Sequence, residues 1–167
     1  TRAGILGRYY AARHVGGQYL SFAVSGRYSV QLSSEENSKE LIESLYSWAL
    51  QKTIQRHSTL CYGVLDKTPT EEAQFTKLAS IQLNDVVEFH SDEESTKEKQ
   101  NLALSQMLEV AHEHVFTHQQ ERPAWKTFVL IHNTAELKYP RLDVAFVCHH
   151  AIGDGTSGTS FHKTLLE

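Results

Sequence analysis

HHAIGDG at residues 149–155 is the stretch of sequence that decides the expected fold and chemistry of this chain. It follows a strongly apolar run at residues 142–148, which predicts a strand. It precedes residues 157–167, which predict the start of a helix. Two histidines, an aspartate and two glycines therefore lie at a strand-to-helix junction, where loops often carry functional side chains. The stretch is a candidate active-site loop.

The alternation of side chains along the preceding strand separates the two histidines. Successive residues of a strand point to opposite faces of a sheet, so Leu142 and Cys148 share one face. Asp143 and His149 share the other face. If the alternation continues, His150 faces away from His149, so that one ring is structural and the other projects into a cleft. A histidine suits the role of general base, because an ordinary pKa of about 6.5 leaves a neutral, proton-accepting form at physiological pH.

The other residues of the loop allow several roles. Gly155 permits a backbone conformation, or a close approach of a ligand, that a side chain would block. Asp154 could orient a histidine, or it could hold the loop by pairing with an arginine. Nitrogen and oxygen donors at close spacing also suit zinc, although their spacing here matches no familiar zinc pattern. Those donors are His149, His150, Asp154 and His162. On the residues alone, an active-site loop and an ordinary loop are equally open.

Length and composition indicate one ordinary globular domain. The chain has 167 residues, of which 40% are apolar and 22% charged. Its net charge is −4 with the histidines neutral, which gives no indication of a nucleic-acid partner or an anionic membrane. No apolar run approaches the roughly 18 residues of a transmembrane segment. The two cysteines, Cys61 and Cys148, lie in apolar, strand-like runs, which predicts buried free thiols and a reducing, cytoplasmic location.

Periodicity along the rest of the chain predicts a mixed α/β layer. A short helix or irregular segment is expected within residues 1–16, and residues 71–79 are ambiguous. The expected strands are residues 18–30, 60–65, 81–89, 126–132 and 142–149, with a turn at 66–70. The expected long helices are residues 37–56 and 95–118. The last two strands are expected to pair as an antiparallel hairpin across the loop at residues 133–141.

Cap residues and apolar stripes define the two long helices. Asn37 is expected to cap the first, and Ser95 with Glu98 forms a capping box for the second. The expected apolar face of the first helix consists of Leu41, Leu45, Trp48 and Ala49, with Ile42 beside them. The expected apolar face of the second consists of Leu104, Met107, Leu108, Ala111 and Val115.

HHAIGDG resembles the motif of the CoA-dependent acyltransferase superfamily, histidine-histidine-three residues-aspartate-glycine, at all four fixed positions. This superfamily includes chloramphenicol acetyltransferase-like enzymes, condensation domains of nonribosomal peptide synthetases and alcohol acetyltransferases. GRYYAARH at residues 7–14 and VSGRY at residues 24–28 resemble the opening of fungal alcohol acetyltransferase-type members. QRHSTL at residues 55–60 resembles a segment that usually ends in arginine-histidine-proline, with Ser58 here in place of the proline. RPAW at residues 122–125 resembles the proline-any-tryptophan sequence before the hairpin.

The resemblance implies a fold and a role for each motif residue. The fold is a chloramphenicol acetyltransferase-like, two-layer α/β half-domain, with a mixed, largely antiparallel sheet packed by helices. His150 is the general base that takes a proton from an acceptor hydroxyl or amine, which then attacks the thioester of an acyl-CoA or an acyl carrier protein. His149 is structural, Asp154 holds the loop through an ion pair, and Gly155 keeps space beside the catalytic ring. No metal and no tightly bound cofactor are implied, since acetyl-CoA or another acyl-CoA is a co-substrate.

The resemblance also implies that this chain is part of a larger enzyme. Members have two similar halves with a substrate tunnel between them, and residues 1–167 match the N-terminal subdomain only. The aspartate-phenylalanine-glycine-tryptophan-glycine-like motif of the C-terminal half does not occur. The expected function is O-acetyl transfer from acyl-CoA to a hydroxyl, with little or no turnover by this chain alone. The alternatives are a condensation-type domain that uses carrier-protein thioesters and a non-catalytic interaction module that retained the fold.

Overall fold

The computed structural model describes residues 2–18, 21–31, 39–65, 73–93, 96–132 and 139–167. A 3-10 turn at Ser58–Cys61 precedes β2. The helices are α1 (Ile5–Val15), α2 (Lys39–Arg56), α3 (Leu83–Val86), α4 (Lys97–Glu113) and α5 (Gly155–Leu165). The strands are β1 (Phe22–Ser29), β2 (Tyr62–Leu65), β3 (Gln74–Lys77), β4 (Val87–Asp92), β5 (Trp125–His132) and β6 (Arg141–Cys148).

A four-stranded sheet in the order β1-β6-β5-β4 forms the centre of the fold. β6 pairs antiparallel with both β1 and β5, whereas β4 lies parallel to β5. The predicted α/β class, the mixed and largely antiparallel sheet and the β5-β6 hairpin are confirmed. β2 and β3 form a separate antiparallel pair. Residues 71–79, which were ambiguous from the sequence, thus contain a strand, β3.

Helices cover both faces of the sheet, which is one helical layer more than the expected two-layer arrangement. On one face, the alternate residues of β6 from Leu142 to Cys148 pack in a core with α2 and α5, where Phe161 stacks on Phe146. On the other face, Ala145 and Val147 pack against α4. The predicted alternation along β6 is therefore confirmed. No helix among the described residues combines the length and apolar character needed to cross a bilayer.

The buried face of α2 differs from the prediction. Leu41, Leu45 and Trp48 are 39%, 41% and 58% exposed. The residues that α2 buries are Ile42, Tyr46, Leu50 and Thr53. The prediction was wrong because this second stripe has the same helical spacing, and Tyr46, whose ring packs edge-on against Phe89, was not counted as apolar.

Several predicted boundaries also change. Within the strand predicted at residues 81–89, residues 83–86 form the helical turn α3, and β4 begins only at Val87. Val86 and Val87 are both buried. Helix α4 ends at Glu113, before the predicted residue 118, and Thr96 caps it by accepting from the Lys99 backbone N–H. The predicted cap residues Asn37 and Ser95 and the turn at 66–70 lie outside the described residues.

A chain of ionisable side chains, here called the charge chain, crosses the sheet at the end of β6 remote from the motif, with one member on each strand. Arg27 on β1 donates two hydrogen bonds to Asp143 on β6, at 2.6 and 2.8 Å. His132 on β5 lies with Nε2 2.8 Å from Asp143 and Nδ1 2.9 Å from Asp92 on β4. Each ring nitrogen of His132 therefore faces a carboxylate oxygen, one on β6 and one on β4. These side-chain contacts link the four strands and favour their lateral order.

Candidate active site

The motif loop runs from the end of β6 to the start of α5, and Asp154 defines where that helix begins. Its carboxylate accepts hydrogen bonds from the backbone N–H of Ser157 at 2.8 Å and from the Ser157 hydroxyl at 2.9 Å. These bonds hold the pKa of Asp154 below its ordinary value. In the part of the chain that the structure describes, Asp154 makes no ion pair. The geometry makes Asp154 the N-cap of α5, and the ion pair that the resemblance implied stays a prediction.

His150 is held in one orientation by the loop that contains it. Its Nδ1 lies 2.9 Å from the carbonyl oxygen of Gly153, which requires Nδ1 to carry the proton. Nε2 is then the ring atom with the lone pair. The half-buried ring lies between Tyr10, stacked at 4.1 Å with an interplanar angle of 8°, and Phe22, tilted at 4.8 Å. The tautomer that a general base requires is therefore set by local geometry.

His149 lies in the core, with 1% of its surface exposed. Its Nδ1 accepts a hydrogen bond from the backbone N–H of Ala151, and its own backbone N–H donates to the carbonyl of Ala124. The ring packs 4.5 Å from the ring of His14. Burial, together with the neighbouring His14 and His150, lowers the pKa of His149 to about 3. The ring is therefore neutral at physiological pH and suited to a structural part.

The two glycines of the loop have different surroundings. A methyl group at Gly153 would meet Cys148 Sγ and Ser157 Cβ, both at 3.3 Å. A methyl group at Gly155 meets no atom within 4 Å among the described residues, and its φ lies outside the left-handed region. Space for a ligand beside Gly155 stays a prediction, because the contacts of this chain do not explain that glycine.

The possible zinc ligands are not brought together. His162 lies on α5, where Nε2 donates to the carbonyl of Val24 at 2.9 Å and Nδ1 accepts from the hydroxyl of Tyr28. His162 therefore joins α5 to β1 through both ring nitrogens. Within the described ranges, no group of three or more histidine, cysteine, aspartate and glutamate side chains is arranged to hold a metal ion.

Two cavities lie beside the motif loop. The larger, about 430 Å³, has an apolar floor that includes Phe146, Cys148 and Phe161. Its rim carries imidazole, hydroxyl and carboxylate groups from His57, Thr59, Asp154, Thr156, Ser157 and Ser160. A second, more apolar cavity of about 300 Å³ is lined by Thr59, Tyr62, Phe75, Ala151 and Ile152. Burial raises the pKa of the Cys148 thiol far above its ordinary range, so this thiol is not an activated nucleophile.

The segment that resembles arginine-histidine-proline ties the end of α2 to the end of α5. His57 Nε2 lies 2.8 Å from the hydroxyl of Thr164, and Arg56 pairs with Glu167. The nearby Trp125 donates from its indole nitrogen to the carbonyl of Leu60 at 2.8 Å. These contacts fix one wall of the larger cavity relative to the motif loop.

Comparison with known protein families identifies the family to which this chain belongs. The profile of the family described as alcohol acetyltransferase matches residues 2–167. The chain belongs to the alcohol acetyltransferase family. Comparison with curated protein sequences yields no significant match.

Several solved structures share the fold of this chain at low sequence identity. The tallysomycin biosynthesis protein TlmII superposes with a TM-score of 0.69 at 14% identity, over 99% of this chain and 37% of its own. Fusarium graminearum TRI101 complexed with ethyl coenzyme A has a TM-score of 0.60 at 11% identity, over 98% and 37%. TRI3 trichothecene 15-O-acetyltransferase from Fusarium sporotrichioides has a TM-score of 0.54 at 12% identity, over 97% and 32%. This chain therefore spans about a third of the length of these proteins.

Three parts of the site were missed from the sequence. They are the stacking of Tyr10 on His150, the contact of Phe22 with the same ring and the carbonyl of Gly153 as its hydrogen-bond acceptor. The resemblance of residues 7–14 to the opening of alcohol acetyltransferases singled out the segment that contains Tyr10. It gave no indication of which side chain in that segment reaches the motif.

Asp154→Ala is expected to lower the thermal unfolding midpoint of this alcohol acetyltransferase family member, because two hydrogen bonds that begin α5 are lost. The decrease should be smaller than that caused by replacing the fully buried Asp143. Asp154→Asn is the matched control and should retain most of the stability, since asparagine also caps helices well. Unchanged thermal stability of Asp154→Ala, with loss confined to the chemical step, would argue instead for a direct part in proton transfer.

Proposed function

We propose that this chain carries the general-base half of an acyltransferase site that moves an acyl group, preferably acetyl, from acyl-CoA to a hydroxyl acceptor. Membership of the alcohol acetyltransferase family supports the reaction class. The observation that carries the assignment of His150 is the hydrogen bond from its Nδ1–H to the carbonyl of Gly153, which directs the lone pair to Nε2. An amine is the alternative acceptor.

In the proposed mechanism, Nε2 of His150 takes the proton of the acceptor hydroxyl as the oxygen attacks the thioester carbonyl. A carbon–oxygen bond forms and a tetrahedral oxyanion results. When that intermediate collapses, the carbon–sulfur bond breaks and the imidazolium returns the proton to the leaving thiolate. Proton transfer by a positioned base typically contributes about 10²–10⁴-fold to the rate. The mechanism needs no metal, no tightly bound cofactor and no acyl group attached to the protein.

The other motif residues have supporting roles in this proposal. His149 anchors the loop in the core, and Asp154 caps α5, so that the two together fix the path of the backbone around His150. Gly155 leaves space for substrate at the first residue of the helix. The cavity of about 430 Å³ lies within the range of about 300–1,000 Å³ that small-molecule sites usually have. Its apolar floor and hydroxyl rim suit the chain of an apolar alcohol or an acyl group, although His150 itself is not among the residues that line it.

We also propose that residues 1–167 are the N-terminal subdomain of a larger enzyme, whose C-terminal half supplies the other wall of the substrate tunnel. The limited share of the solved structures that this chain spans supports this arrangement. A half-site exposes His150 without the walls that hold the two substrates together and exclude water. The free thiols Cys61 and Cys148 fit a reducing, cytoplasmic location.

A condensation-type reaction is the second candidate, because condensation domains superpose about as well. One such domain, the first of the calcium-dependent antibiotic synthetase, has a TM-score of 0.64 at 14% identity. The two candidates differ in donor, which is free acyl-CoA in one and a thioester on a phosphopantetheinyl carrier protein in the other. No observation in the structure favours a non-catalytic interaction module.

A donor-competition assay tests the proposed function. The full-length enzyme that contains this chain is given a primary alcohol and either acetyl-CoA or an acetylated phosphopantetheinyl carrier protein, and ester formation is measured by mass spectrometry. We expect transfer from acetyl-CoA, at a higher rate than from the carrier protein. Transfer from the carrier protein alone would establish the condensation-type alternative. The 167-residue chain alone should show little or no turnover, and robust acetyl transfer by it would contradict the half-site arrangement.

A further inference from the structure

Helix α1 contacts both histidines of the motif, although more than 130 residues separate the helix from the motif along the sequence. The ring of Tyr10 stacks on His150, with 4.1 Å between ring centroids and an interplanar angle of 8°. One turn further along the helix, His14 packs at 4.5 Å from the ring of His149. The helix therefore lies directly against the proposed catalytic loop.

The hydrogen bond between His150 and Gly153 does not by itself fix the imidazole ring. The bond from Nδ1 to the carbonyl of Gly153 selects which nitrogen is protonated, but the outer torsion of a histidine side chain is intrinsically broad. The rings of Tyr10 and Phe22 both lie against His150 and restrict that torsion, since rotation of the imidazole would bring its edge towards them. The three contacts together define both the plane and the tautomer of His150.

The stack with Tyr10 also has an electronic consequence. The face of an aromatic ring carries partial negative charge and attracts a cation placed over it. His150 gains positive charge only as it takes the proton from the acceptor. An interaction that strengthens with that charge stabilises the transition state more than the bound substrate, and so acts on kcat more than on KM.

We propose that Tyr10 is a positioning residue for His150, which holds the imidazole in the orientation for proton transfer and stabilises its imidazolium form, a role that rests on the proposed function of His150. Helix α1 has other attachments, so that Tyr10 is not needed to keep it in place. The backbone N–H of Ala3 donates to the carbonyl of Ala73, and Ala11 packs in a small core with these two residues. Gln119 donates to Nε2 of His14 at 2.8 Å.

Nuclear magnetic resonance of the 167-residue chain with isotopically labelled histidine tests this proposal. The signals of His150 are identified by their loss in His150→Gln. In the wild-type chain, we expect the Nδ1–H tautomer and an upfield shift of the ring proton, because Tyr10 and Phe22 lie against the ring. Tyr10→Leu should remove much of the upfield shift. It should also give a mixture of tautomers, because the freed ring can turn away from the Gly153 carbonyl. Tyr10→Phe should keep both features.

Tyr9→Leu is the matched control, since Tyr9 is an exposed neighbour on the same helix that contacts Tyr10 edge-on. It should leave the His150 signals largely unchanged. An unaltered tautomer and ring-proton shift in folded Tyr10→Leu would overturn the proposal. Should Tyr10→Leu not fold, the wild-type and Tyr10→Phe spectra decide, because an Nε2–H tautomer or the absence of an upfield shift there would overturn it equally.

In the full-length enzyme, Tyr10→Leu should lower kcat about 10- to 100-fold, the scale of a misplaced catalytic group, with little change in KM. Tyr10→Phe should restore most of that loss. An equal loss in Tyr10→Phe, or a loss confined to KM, would contradict a positioning role. The spectroscopic result and the activity of His150→Gln are independent, so failure of the proposed function is distinguishable from failure of this inference.

Discussion

His150→Gln in the full-length enzyme is expected to lower kcat by about 10²–10⁴-fold, the usual contribution of a positioned general base. Glutamine is of similar size, but its amide has no ionisable nitrogen that could take the proton of an acceptor. KM should change less than kcat, because the lost interaction is made in the transition state. Steady-state rates with acetyl-CoA and a primary alcohol give both constants.

His112→Gln is the matched control for this variant. His112 lies exposed in the last turn of α4, which packs on the face of the sheet opposite α5, so the same chemical change there should leave kcat unaltered. Thermal unfolding of both variants must be compared with wild type, so that a loss of rate is not a loss of folded protein. A folded His150→Gln variant with near-parental kcat would remove His150 from the mechanism.

Asp143→Ala is expected to reduce the free energy of unfolding by about 3–5 kcal/mol, the usual cost of removing one partner from a buried ion pair. Asp143 is 1% exposed and accepts hydrogen bonds from both Arg27 and His132. Without it, Arg27 on β1 and His132 on β5 lose the carboxylate that they share. Urea unfolding of the 167-residue chain, followed by circular dichroism, measures the change.

Asp85→Ala is the control for that loss of charge. Asp85 lies 3.9 Å from Arg122 in a largely exposed pair, and pairs of this kind contribute about 0–1 kcal/mol. A change for Asp143→Ala no larger than that for Asp85→Ala would contradict the importance of the charge chain across the sheet.

The effect of Asp143 should also depend on pH. Burial acts to raise the pKa of its carboxyl, but hydrogen bonds from Arg27 and His132 outweigh burial, so the pKa lies below its ordinary value. A carboxyl whose pKa is lowered by folding stabilises the protein above its unfolded pKa of about 3.9, and the contribution is lost as the pH falls through the folded pKa. The stability difference between wild type and Asp143→Ala should therefore shrink below about pH 4. A difference that grows towards acid would contradict this sign.

The central hairpin could be predicted from the sequence because its information is local. Residues 142–148 alternate between two apolar faces, and the structure places those faces against different helices. The buried face of α2 could not be predicted in the same way, since two stripes on it have helical spacing and the sheet selects one. The charge chain from Arg27 to Asp92 joins residues separated by 116, 11 and 40 positions, and only the strand order brings them together.

In the candidate site too, local features could be predicted from the sequence, whereas contacts that depend on the fold could not. The motif identified His150 as the candidate base, because the whole loop lies within seven consecutive residues. The hydrogen bond to Gly153 is local but depends on the exact path of the turn. The stack with Tyr10 depends on where α1 packs, which no pattern within residues 1–16 specifies. The bonds of Asp154 to Ser157 follow from its position directly before α5, whereas its expected ion pair stays a prediction.

The most direct test of the central claim is a single-turnover measurement of acyl transfer by the full-length enzyme. Enzyme in excess over acetyl-CoA, labelled isotopically in the acetyl group, is mixed with a saturating alcohol, and labelled ester and labelled protein are followed by mass spectrometry. We expect ester to form without acetylated protein, and we expect His150→Gln to slow this step by about 10²–10⁴-fold. Ester formation by His150→Gln at the wild-type rate, or an acetylated protein that disappears as ester forms, would contradict direct transfer with His150 as the general base.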